Sequence, residues 1–111
     1  MEIAQTNVGA VAVLAPNGPL TGDAGETLRK AAEPLNKSSL GRVVVDLTAV
    51  PFLDSKALET LVDLTESMSA SGRVLKLASA NALIREVLTL TDLDSMFEHY
   101  VDVNAAARSF L

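Results

Sequence analysis

The side chains best equipped for chemistry stand in consecutive positions at Asp54-Ser55-Lys56: a carboxylate, a hydroxyl and an ammonium. A serine in such company can cap a helix, accept a phosphoryl group or touch a partner, and its surroundings decide among these. The triplet follows an apolar run and opens an amphipathic one, so it falls on a strand-to-helix connection where the first helical turn has unpaired N–H groups. Asp54 or Ser55 caps that helix. The same terminus carries partial positive charge, so a phosphate on Ser55 is tolerated electrostatically, helped by Lys56 and opposed by Asp54.

No second reactive constellation competes with it. His99 is the only histidine and there is no cysteine, so neither a metal site nor an imidazole acid-base pair is expected, and His99 reads as a surface or strand-edge residue. Asp46 and Asp54 could suggest paired carboxylates, but Asp46 lies inside a strand pattern. A Gly-rich phosphate loop and a Gly-x-Ser-x-Gly elbow are both missing, which leaves an enzyme without visible machinery; no cofactor is expected. A phosphoacceptor receiver domain also alternates strands and helices at this length, yet Val11 to Asn17 contains no acid to hold Mg²⁺. The second Asp-Ser pair, Asp94-Ser95, precedes a strand rather than a long helix.

The elements that must position the triplet are legible on either side. Arg42 to Leu47 is β-branched and almost continuously apolar, the mark of a central strand covered on both faces. Leu58, Leu61, Val62, Thr65 and Met68 recur at helical spacing, predicting a helix from Ser55 to Ala70. Upstream, Glu2 to Thr6 and Ala10 to Ala15 read as a hairpin turning at Asn7-Val8-Gly9, and Pro16-Asn17-Gly18-Pro19 is turn punctuation. Asp23 and Glu26 have capping-box spacing ahead of a helix with Leu28, Ala31, Ala32 and Leu35 on one face, which Pro34 should kink or end. Downstream, Arg73 to Ala78 is a strand reached by a right-handed crossover. Asn81 caps a third helix in which Leu83, Val87 and Leu90 form one apolar row that Ile84 and Leu88 widen. Phe97 to Val101 is a last edge strand, and Asp102 or Asn104 caps a helix ending at Phe110 and Leu111. The expected class is α/β: a mixed, mainly parallel sheet of about five strands with about four helices in the order ββαβαβαβα.

With 111 residues, the chain makes one domain spanning 1–111, and 49% hydrophobic against 21% charged residues is a globular balance. A formal charge of −5 and the lack of any Lys/Arg cluster argue against nucleic acid. No basic segment followed by an apolar stretch opens the chain and no run reaches membrane-spanning length, so the expectation is a cytoplasmic protein with no membrane insertion and a protein partner.

Val43-Val44-Val45-Asp46-Leu47 followed by Phe52-Leu53-Asp54-Ser55 and Leu58 resembles the STAS domain family, found in bacterial anti-sigma factor antagonists and in the tails of sulfate transporters. Gly18-Pro19-Leu20, Gly72-Arg73-Val74-Leu75 and the stretch Leu88 to Phe97 are similar to further parts of the family pattern, so the likeness runs along nearly the whole chain. The resemblance implies an anti-sigma factor antagonist that works by partner switching, with Ser55 as phosphoacceptor and Asp54 as cap and positioning group. It implies two partners: an anti-sigma factor that is also a serine kinase, and a metal-dependent serine phosphatase. The implied docking surface comprises Gly18, Leu20, Thr21, Asp23, Phe52, Leu53, Lys56 and Glu59. Thr21 stands where the antagonist branch has Asp, Lys56 where it has a small residue and Ala57 where it has Gly. The alternative within the family is a STAS scaffold that binds a transporter ATPase or signalling complex without phosphorylation.

Overall fold

The computed structural model describes residues 1–111, and its element order is β1 (Glu2–Val8), β2 (Val11–Asn17), α1 (Ala24–Ser38), β3 (Val43–Asp46), α2 (Ser55–Ser69), β4 (Leu75–Ala78), α3 (Ala82–Leu90), β5 (Phe97–Tyr100) and α4 (Val103–Arg108). This is the ββαβαβαβα order expected, with a single 3₁₀ turn at Asp94–Met96 ahead of β5. The sheet order is β1-β2-β3-β4-β5, antiparallel between β1 and β2 and parallel elsewhere, so β3 is central and β5 is an edge.

Strand order that follows chain order has a consequence for the layers. Right-handed crossovers between successive parallel neighbours place every connecting helix on the same face. Accordingly Ala12, Leu14, Val43, Val45, Leu75 and Leu77 meet Leu28, Leu35, Leu61, Leu64, Ile84 and Leu88 in one core of 21 buried residues. Val11, Val13, Val44 and Ala78 point the other way, where only Ala106 and Ala107 of α4 complete a cluster of 6.

Several local expectations need correction. The hairpin turns on Gly9-Ala10, since Val8 pairs with Val11, and β1 and β2 extend to Val8 and Asn17, past the expected ends at Thr6 and Ala15. Gly9 takes φ +60° at the first turn position, a conformation open to glycine without strain. The capping box does not form: Asp23 has φ −86° and ψ 2°, outside the extended geometry of a cap, and makes no side-chain cap bond. Glu26 instead pairs with Arg29. Pro34 does not end α1, which continues to Ser38. The prolyl ring and Lys30, whose carbonyl lacks a donor at this point, are both exposed, so water can satisfy that carbonyl. Of the two cap candidates for α4, Asp102 holds the Ala105 N–H at 2.8 Å, and the helix stops at Arg108, short of Phe110.

Candidate functional site

The loops that leave the carboxyl ends of β2 and β3 are neighbours because their strands are, and backbone hydrogen bonds zip them together. Leu20 N–H donates to Phe52 O at 3.1 Å, Asp54 N–H to Leu20 O at 3.0 Å, and Gly18 N–H to Ala49 O at 3.1 Å. Leu20 and Leu53 thereby form an isolated parallel bridge. This brings Gly18, Thr21, Asp23, Phe52, Leu53 and Lys56 to one end of the sheet, beside the first turn of α2.

Asp54 is the cap of α2. Its backbone is extended and its two carboxylate oxygens divide their work: Oδ1 accepts from Ala57 N–H and Oδ2 from Gly22 N–H, both at 2.9 Å. These two donors, with Lys56 nearby, hold the Asp54 carboxyl below the ordinary aspartate range against a smaller opposing effect of burial. Gly22, at φ +59°, turns its N–H toward that carboxylate across 32 positions of sequence. Nothing in the local pattern marked it, since Thr21-Gly22-Asp23 reads only as a turn. Lys56 Nζ lies 3.1 Å from Asp23 Oδ1, so the carboxylate expected to cap α1 serves as the lysine's counter-ion instead.

Ser55 is the first helical residue and is exposed. With Asp54 doing the capping, its hydroxyl is left facing solvent. Glu59 lies exposed one turn further along α2, and Phe52 is an exposed aromatic at 45% accessibility. Leu20 departs from the expected docking surface: at 0% exposure its side chain belongs to the core and supports the loop from beneath. Leu53 is half-buried against the same core.

Asn81 was expected only to cap α3, which it does through Ile84 N–H at 2.9 Å. Its amide also donates to Pro51 O at 2.9 Å, tying the start of α3 to the loop ahead of Ser55. Asp46 accepts from Thr48 N–H and Oγ1, a local turn that leaves no carboxylate pair with Asp54. His99 does lie on the edge strand, but its ring is largely buried, with Nε2 3.2 Å from the Asp94 carboxylate. Asp94-Ser95 sits in the 3₁₀ turn before β5, with no long helix behind it. No group of three or more His, Cys, Asp or Glu is placed to hold a metal ion.

This geometry joins an exposed hydroxyl, a hydrogen-bonded carboxylate and a zipped pair of loops at one end of the sheet. Asp54 spends both oxygens on backbone donors, and the one imidazole, His99, sits on β5 against Asp94. The arrangement can offer Ser55 to another protein's chemistry.

The sequence pattern of the STAS domain family matches residues 2–106. A proposed anti-sigma factor antagonist of Thermotoga maritima is 32% identical over 98 residues, which cover 86% of each chain. The crystal structure of a proposed anti-sigma factor antagonist from the same organism superposes with a TM-score of 0.85 at 28% identity, over 96% of this chain and 92% of that one. The anti-sigma factor antagonist SpoIIAA, in its unphosphorylated form, gives a TM-score of 0.73 over 98% of this chain and 96% of that one. At 16% identity that likeness is one of fold. No helix is long and apolar enough to cross a membrane.

Proposed function

From the premise that this chain belongs to the STAS domain family, we propose that it is an anti-sigma factor antagonist acting by partner switching, with residues 1–111 forming the switching domain in the cytoplasm. Unphosphorylated, it binds an anti-sigma factor that is also a serine kinase, through Phe52, Lys56, Thr21, Asp23, Glu59 and the backbone at Gly18, with Leu20 and Leu53 bracing that surface. Phosphorylation of Ser55 releases the kinase, and a metal-dependent serine phosphatase resets the switch. The chain itself catalyses nothing in this scheme.

The observation that carries the reading is the division of labour between Asp54 and Ser55. Because Asp54 supplies the cap, the serine hydroxyl has no structural duty and can be modified without unmaking the helix. A phosphate adds about 1.5 to 2 negative charges at the centre of a contact that must shed water. A penalty of about 3 kcal/mol is a loss of roughly a hundredfold in affinity, enough to move a partner between two competitors.

One observation favours the scaffold alternative, in which Ser55 stays unmodified and the partner is a transporter ATPase or a signalling complex. One donor that would cradle a phosphate at the start of α2, Ala57 N–H, is already engaged by Asp54, and Lys56 is paired with Asp23. The deciding experiment is parallel capture from the host lysate with wild type and Ser55→Glu as baits, identified by mass spectrometry. An ATP-binding anti-sigma kinase held by wild type and lost by the variant supports switching. The same transporter subunit held by both baits establishes the scaffold reading.

A further inference from the structure

The face of the sheet opposite the three crossover helices is covered by α4 and the short Ser109–Leu111 segment after it, with Tyr100 and Phe110 packed against the same cluster, and α4 itself is too small for it. Its six residues span about 9 Å, whereas five strands at about 4.8 Å spacing extend across about 19 Å. Ala106 and Ala107 seal the middle, over Val11, Val13, Val44 and Ala78, and the β1–β2 end stays open. There, between the hairpin turn and the end of α4, lies a cavity of about 500 Å³. Val8, Val11, Ala107 and Phe110 supply apolar wall, and Arg42 and Arg108 border the same space. The volume falls within the range of small-molecule sites, roughly 300 to 1,000 Å³.

The charges are arranged against the trend of the molecule. The chain carries 14 acidic residues against 9 Lys and Arg, yet no acidic side chain lines this cavity. Lys56, Lys76, Arg29 and Arg85 are ion-paired, whereas Arg42 and Arg108, like Lys30, Lys37 and Arg73, have no carboxylate within 4.0 Å. Arg42 makes one long bond, Nε to Ala10 O at 3.4 Å, which leaves most of its guanidinium free. Two unpaired guanidiniums beside an apolar trough match a ligand with an anionic head and an aliphatic tail, because a planar fork binds a carboxylate through two parallel bonds.

We propose that this cavity binds a single medium-chain carboxylate, its head between Arg42 and Arg108 and its tail along Val8, Val11 and Phe110. The site lies at the starts of β2 and β3, at the opposite end of those strands from Ser55, so it is independent of the partner-switching surface.

The test is titration of the full chain with sodium decanoate below its micelle concentration, followed by amide NMR shifts, with acetate, decyltrimethylammonium and phosphatidylglycerol vesicles as parallel probes. Saturable decanoate binding with shifts confined to Val8 to Val11, Arg42 and the α4 segment, and none with acetate or the ammonium, is the expected result. Arg108→Glu, at an exposed position, should weaken decanoate at least about tenfold, the loss of one charge-assisted contact. Arg42→Gln provides a milder second variant, and a thermal melt checks that each remains folded. Equal affinity of wild type and either folded variant, equal binding of the ammonium analogue, or binding to vesicles without binding of monomeric decanoate would each overturn the proposal.

Discussion

Gly25 is a tight contact of α1 with α2, and enlarging it tests whether that approach supports the Ser55 surface. A Cβ on Gly25 would meet Ala57 Cα at 3.0 Å, Thr60 Oγ1 at 3.1 Å and Thr60 Cβ at 3.3 Å. The first of these is backbone in the opening turn of α2, which Asp54 anchors, so it cannot swing aside as a side-chain tip could. Two opposing effects set the sign for Gly25→Ala. Alanine is the better helix former by up to about 1 kcal/mol, and less than that in the first turn, where the intrahelical ladder is incomplete. Overpacking a tight contact costs about 1 to 3 kcal/mol. Overpacking wins, with a net loss of about 1 to 2 kcal/mol, or roughly 4 to 8 °C in Tm for a chain of this size. Gly25→Val adds two methyls and a stiff rotamer and should fall further. The assay is a thermal melt of the three proteins together with hydrogen exchange at Gly22, whose protected N–H reports the Gly22–Asp54 bond. Tm ranked Gly, then Ala, then Val, with faster exchange at Gly22, is the expected outcome. An alanine variant as stable as wild type would show that propensity dominates and that the close approach is not limiting.

Ser55→Ala should leave Tm nearly unchanged, within about 0.5 kcal/mol as for other exposed positions, whereas Asp54→Ala should lower it by removing the acceptor of both Ala57 and Gly22; paired melts of the two variants decide which residue is the cap. Because the folded Asp54 carboxyl is held below its ordinary value, its contribution is complete at neutral pH and is lost as pH falls through the folded value, below about 4. Tm measured against pH should therefore show wild type and Asp54→Ala converging in acid. His99 works at higher pH: burial, with Arg85 adding to it, lowers its pKa despite the Asp94 carboxylate and carbonyl on Nε2, while Phe97 meets the ring edge-on. Its neutral form is favoured on folding, so stability is full above about pH 6.5 and is lost as pH falls toward the folded value; His99→Gln should flatten that part of the Tm profile. Lys76→Met should lower stability by about 1 to 3 kcal/mol in urea unfolding and speed exchange in the Ser109-Phe110 segment, since the buried ammonium bonds Ser109 Oγ at 2.6 Å, pairs with Glu98 at 3.1 Å and sits 4.1 Å from the Phe110 ring centroid.

Lys76 also marks the boundary of what a sequence can say. Arg73 to Ala78 is legible as a strand because Val74, Leu75 and Leu77 dominate it, but only the pairing of β4 with β5 sets Lys76 opposite Glu98 and makes a buried ammonium, 9% exposed, tolerable. What the chain determines locally it determines well. The near-continuous apolarity of β3, the period of three to four in the helices, and caps such as Asn81 act over a few residues, and they suffice for the element order. The Asp54-Ser55 helix start was legible for the same reason, although which residue caps it was not. Tertiary structure decided the rest, because it depends on partners far away in sequence. Gly22 reaches Asp54 across 32 positions and Lys56 takes Asp23 across 33, which removes the predicted cap of α1. The Leu20–Leu53 bridge, 33 positions long, draws Leu20 inward from the surface on which the family resemblance placed it. Side-chain periodicity carries no record of which loops will lie side by side; that follows from strand order, and strand order is settled by the burial of the whole core at once.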